Sequence, residues 1–166
     1  MSARSARTAA LVKSLIFTVL VPGTIAGYVP YRILSAQSDI APLMPGGVRF
    51  VGIAAMAGGV LGYLWCAWDF ATKGLGTPAP IDPPRALVAQ GLYRYVRNPM
   101  YVSVLLVLLG ESVFFESRRL LLYAGIMWLV VHSFVLIYEE PTLRRKFGAA
   151  YDEYCRRVPR WLPRFR

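Results

Sequence analysis

Two adjacent carboxylates, Glu139 and Glu140, end an apolar run and are followed by Pro141. Acidic side chains at a helix C-terminus oppose the helix dipole, so this pair needs partners: arginines of the same chain or a cationic ligand. His132 lies seven residues before Glu139, close to two helical turns, which predicts one shared face. A polar residue within a span faces protein or a cavity rather than lipid. His132 and Glu140 are therefore candidate bases for a nucleophile that must lose a proton. Pro141 disfavours helical geometry at Glu140 and predicts a bend there.

The second group is the stretch GLYRYVRNPMY, residues 91–101. Asn is a favoured N-cap and Pro a favoured first helical residue, so Asn98-Pro99 predicts a helix start. The free N–H groups of such a start attract anions. Arg94 and Arg97 precede it, and Tyr93, Tyr95 and Tyr101 offer aromatic faces for a planar ring or a cation. Taken alone, the stretch also fits an aromatic belt with snorkelling arginines.

Positioning these residues falls to apolar helices. The chain has 166 residues, 56% apolar and only 17% charged. The apolar residues gather in four blocks: Ala9 to Tyr31 (interrupted by Pro22-Gly23), Val48 to Phe70, Tyr101 to Phe115 and Leu120 to Tyr138. A span needs about 20 residues, and the third block reaches that scale when its helix starts at Pro99. Glu111 falls in the outer half of that helix and is read as structural. Gly58 and Gly62 predict a close helix–helix approach in the second block. The expected fold is an all-α integral membrane protein with four transmembrane helices, or five if one is split, and a C-terminal amphipathic helix. That last helix is predicted from Leu143, Phe147, Tyr151, Tyr154 and Val158, which fall on one helical face.

Charge sets orientation. With both termini on one side, that side and the 71–98 loop hold fifteen of the Lys and Arg residues, against four in the two opposite loops. This positive-inside bias predicts cytoplasmic termini and a cytoplasmic loop in a bacterial inner membrane. The net charge of +10 then reflects topology and attraction to lipid headgroups; no nucleic-acid partner is expected, and no obligate protein partner is evident. Cys66 and Cys155 lie too differently to pair. No Gly-rich nucleotide loop, metal-spaced ligand set or nucleophile elbow occurs.

GLYRYVRNPMY, followed farther along by EEPTLRRKFGAAYDEYCRRVPRWLP, resembles the isoprenylcysteine carboxyl methyltransferase family. These are membrane-embedded S-adenosylmethionine enzymes related to the phospholipid methyltransferases. The likeness covers residues 77–163. It implies one membrane-embedded methyltransferase domain over 1–166, with the N-terminal spans in 1–76 and the cofactor-binding half in 77–166. It further implies cofactor contacts at Arg85, Ala86, Leu87, Val88, Tyr93, Asn98, Pro99, Met100, Tyr101 and Glu139, with no metal. The acceptor would be amphiphilic, entering from lipid. Two positions depart from the family: Asn98 stands where it has His, and Val135 where the isoprenylcysteine-specific members have an Arg for the substrate carboxylate. The rival expectations are an NADPH-dependent sterol-type reductase of related fold and a non-catalytic membrane protein.

Overall fold

The computed structural model describes residues 12, 15–37, 47–70, 87 and 89–163. Within them the chain is helical, as the apolar blocks predict. Helix α1 runs Leu15–Ser35, α2 Val48–Asp69, α3 Pro99–Phe114 and α4 Arg118–Phe147. A short helix, α5, covers Ala149–Arg157, and a 3-10 turn at Gly91–Arg94 leads into α3. Three of these helices are long and apolar enough to cross a membrane, while α3 has 16 residues. At 1.5 Å per residue α3 reaches only about 24 Å; it is the inner helix, packed between α2 and α4. The outer faces are apolar: Phe50 is 73% exposed and Ile137 78%, the pattern of a surface solvated by lipid. The fold is that of an all-α integral membrane protein.

Two of the expected boundaries shift. α1 continues past Tyr31 to Ser35, and α4 continues from Tyr138 through Phe147 without a bend at Glu140, whose backbone is ordinary right-handed helix. The reason lies one turn upstream. Each of these helices contains a π turn, Thr24–Tyr28 and Val135–Glu139, and each π turn ends two residues before a proline, Pro30 or Pro141. A proline in a helix lacks its N–H and crowds the carbonyl four residues back. Those carbonyls, of Ala26 and Ile137, sit inside the widened turns, which absorb the conflict.

α2 and α3 touch backbone to backbone. A Cβ on Gly59 would lie 2.6 Å from the Ser103 carbonyl oxygen, and one on Gly52 would lie 2.8 Å from that of Gly110. Gly62 also faces Ser103, whereas Gly58 has only Leu106 at 3.8 Å. The tight seam is therefore Gly52, Gly59 and Gly62 rather than the predicted Gly58–Gly62 pair. At the far end, Ser117 caps α4 by accepting from the Leu120 N–H (3.3 Å), and Arg49 Nε donates to Glu116 Oε1 at 3.0 Å, which ties α2 to the α3–α4 turn.

The predicted tail face is present but broken. Gly148 adopts φ 53° and ψ −131°, a conformation that favours glycine. The face thus spans two helices, the end of α4 and α5. Tyr151, Tyr154 and Val158 form a buried cluster that Leu143, Phe147 and Leu87 pack against. The tail folds back over the spans instead of lying out along the interface.

Candidate active site

Antiparallel packing brings the start of α3, the end of α4 and the start of α1 to one end of the bundle. A cavity of about 110 Å³ lies among them. Its polar end is formed by Tyr93, Arg97, Asn98, Tyr101 and Glu139. Deeper in, Val21, Ile25, Leu105, Leu108, Met127 and Val131 make an apolar wall. Beneath the polar end, Tyr63, Cys66, Tyr93 and Met100 form a packed cluster, with Phe70 edge-on to the Tyr93 ring at 5.5 Å between centroids. Tyr101 Oη donates to Glu139 Oε2 at 2.9 Å, a charge-assisted bond that fixes the carboxylate at the cavity wall.

Glu140 faces elsewhere. It is buried, and both its oxygens are taken up by arginines: Arg97 Nη1 at 2.9 Å and Arg160 Nε at 2.7 Å on Oε1, Arg160 Nη2 at 3.0 Å on Oε2. His132 accepts at Nδ1 from Trp161 Nε1, 3.0 Å away, and stacks on Trp128. The helical count put His132 on the face of Glu139. The π turn adds one residue to that interval and so rotates the register by about 100°. Consequently it is Glu140 that shares His132's side, toward the tail, and Glu139 that turns to the cavity. The two residues expected as bases, His132 and Glu140, do not line it.

Asn98 occupies the predicted N-cap position, but its side chain caps nothing. Its Nδ2 instead donates to the Arg160 carbonyl at 3.2 Å, beside the Arg97 N–H bonded to the Pro159 carbonyl at 2.8 Å. The side-chain amide supplies this donor. Tyr154 Oη donates to the Tyr93 carbonyl at 2.6 Å, so α5 and residues 158–161 form a strap across the start of α3. Burial, then the nearby Cys66 thiol and Glu139 carboxylate, push the Tyr93 phenol well above its usual range, so it remains a protonated donor.

Of the residues expected to hold a cofactor, Tyr93, Asn98, Met100, Tyr101 and Glu139 meet at this cavity, and Pro99 opens α3 behind them. Leu87 packs on the tail cluster, and Arg85, Ala86 and Val88 lie outside the described residues. Arg97, which precedes the α3 start, is engaged by Glu140 and by Cys155 Sγ, each at 2.9 Å. Arg94 lies over the Tyr95 ring, 5.1 Å from its centroid. The roles of Arg160 and Trp161 were not legible beforehand: nothing local distinguishes Arg160 among the tail arginines. Gly91 adopts φ 58°, and a Cβ there would collide with the buried Asp69 carboxylate.

Comparison with known proteins places this geometry. Residues 48–150 match the phospholipid methyltransferase family. The nickel-cobalt-cadmium resistance protein NccN of Alcaligenes xylosoxydans xylosoxydans is 27% identical over 114 residues, 69% of this chain and 49% of that protein. A protein-S-isoprenylcysteine O-methyltransferase of Schizosaccharomyces pombe is 32% identical over 78 residues, 46% of this chain and 33% of that one. Methanethiol S-methyltransferase 2 of Bradyrhizobium diazoefficiens is 34% identical over 73 residues, 44% of this chain and 27% of its own length. The chain spans about half or less of the length of these curated relatives. The family match takes in α2, α3, α4 and the carboxylate–phenol pair at the cavity, and on it the chain belongs to the phospholipid methyltransferase family.

Proposed function

We propose that the protein is an S-adenosylmethionine-dependent methyltransferase acting on an amphiphilic acceptor at the cytoplasmic face of the membrane. The observation that carries this is the Tyr101–Glu139 pair fixed at the polar end of an otherwise apolar cavity, within the region matching the family. The donor set fits the cofactor. Arg97 Nε is buried with no hydrogen-bond partner among the described residues, a donor suited to the cofactor's carboxylate. Glu139 suits its ammonium group or ribose hydroxyls, and Tyr93 and Met100 an adenine ring. When bound, S-adenosylmethionine supplies a methyl group made electrophilic by its sulfonium. The task left to the chain is orientation and exclusion of water. Tyr101 holds Glu139, the tail strap closes the polar end, and the apolar wall takes the acceptor's hydrocarbon part, entering from lipid between the spans.

The same geometry bears on the acceptor. Among the described residues the single cation lining the cavity, Arg97, is already paired with Glu140, and Val135 is fully buried. With Glu139 at its polar end, the cavity favours a thiol or an amine over a carboxylate. Isothermal titration of the purified protein with S-adenosylhomocysteine tests the reading: micromolar binding is expected, at least tenfold weaker in Glu139→Ala. Binding of NADPH alone would replace it with a reductase, and binding of neither with a non-catalytic protein. Methyl-labelled cofactor added to membranes then identifies the acceptor.

A further inference from the structure

The bundle end opposite the cavity carries a second groove, between the end of α1 and the start of α4. Val29, Ile33, Leu122 and Ile126 give it apolar walls, and Arg32 and Arg119 stand at it with Tyr28 and Tyr123. Arg32 Nη1 donates to Tyr28 Oη at 3.1 Å, and Arg119 Nη1 donates to the Ala36 carbonyl at 3.1 Å. Both partners are neutral. Among the described residues neither arginine pairs with a carboxylate, unlike Arg49, which holds Glu116.

Two physical terms oppose cations here. Arg118 and Arg119 occupy the first turn of α4, where the positive end of the helix dipole disfavours them. This side of the bundle also holds only four of the 19 Lys and Arg residues, so its arginines stand against the positive-inside bias. An anion in the groove offsets both terms.

We propose that this groove binds one anionic phospholipid, its phosphate held between Arg32 and Arg119 and its acyl chains laid along Val29, Ile33, Leu122 and Ile126. The remaining guanidinium N–H groups are the donors, and a phosphate is their planar-fork complement. A second copy of the chain is a poorer occupant. A two-fold contact through this face would set the arginines against their own symmetry mates, and the Glu116 carboxylate at this end is buried and already paired.

Native mass spectrometry of the full chain in a neutral detergent, titrated with phosphatidylglycerol and separately with phosphatidylcholine, tests the proposal. A preference for one phosphatidylglycerol is expected. Arg32→Gln/Arg119→Gln should weaken it on the order of 30-fold, the headgroup attraction of two basic residues. Arg32→Lys/Arg119→Lys should stay within a few-fold of the unaltered chain, as should Arg156→Gln/Arg157→Gln on the tail. Phosphatidylglycerol should also raise the melting temperature of the unaltered chain and not that of the Gln pair, whose own melting in phosphatidylcholine reports that it folds. Equal binding of the two lipids overturns the proposal, as does a loss in the Lys pair as deep as in the Gln pair. A dimer that forms without lipid and dissociates in the Gln pair overturns it by assigning the groove to a second copy.

Discussion

Glu139 and Glu140 are chemically identical neighbours with separate duties, and substitution should separate them. Glu139→Gln keeps the fold and removes the anion at the cavity, so cofactor-analogue affinity should drop with little change in melting temperature. Glu140→Gln leaves Arg97 buried and unpaired, and breaking a buried pair costs about 3 kcal/mol or more. A large fall in melting temperature is therefore expected, measured in the same detergent. Asn98→Ala removes one tail bond and should cost about 1 kcal/mol. Asn98→Asp should cost more, because a carboxylate then meets the Arg160 carbonyl. Burial raises the Tyr154 phenol above its ordinary value of 10.0. Its bond to the Tyr93 carbonyl is thus complete below that value and lost only as pH rises through the higher one of the folded chain. Melting temperature should show no step from this group between roughly pH 6 and 9, while Tyr154→Phe lowers it throughout. Glu139 stood out in the sequence as half of a carboxylate pair ending an apolar block, and the family resemblance gave it a cofactor contact. Which glutamate did what was not, since a one-residue change of register leaves no mark in residue types.

At the level of elements, the α2–α3 seam gives the clearest test. Gly59→Ala forces a methyl against the Ser103 carbonyl and should destabilise by roughly 1–3 kcal/mol, while Gly58→Ala should be close to neutral. Thermal unfolding of the two variants side by side decides it. The sequence carries the small residues that make close approach possible, yet four glycines alone lie in the second block, and only the partner helix selects which ones count. Helix existence was readable from the apolar blocks. The π turns were not, because helical periodicity assumes a constant 3.6 residues per turn. Pro141 was the available clue, and its conflict with the helix was met by widening the preceding turn rather than by bending at Glu140.

For the whole molecule, the charge count predicts orientation. Cysteines introduced at Arg157 and Arg118 should be labelled from opposite sides of sealed vesicles by a membrane-impermeant maleimide, Arg157→Cys from the cytoplasmic side. Labelling of both from one side would contradict four crossings. The polar end of the bundle is completed from far along the chain. Arg160 is 20 positions after Glu140, and Trp161 is 29 after His132. A chain truncated before Pro159 should therefore keep its spans yet melt at a lower temperature than the full chain, and protease should cut it faster near Glu140.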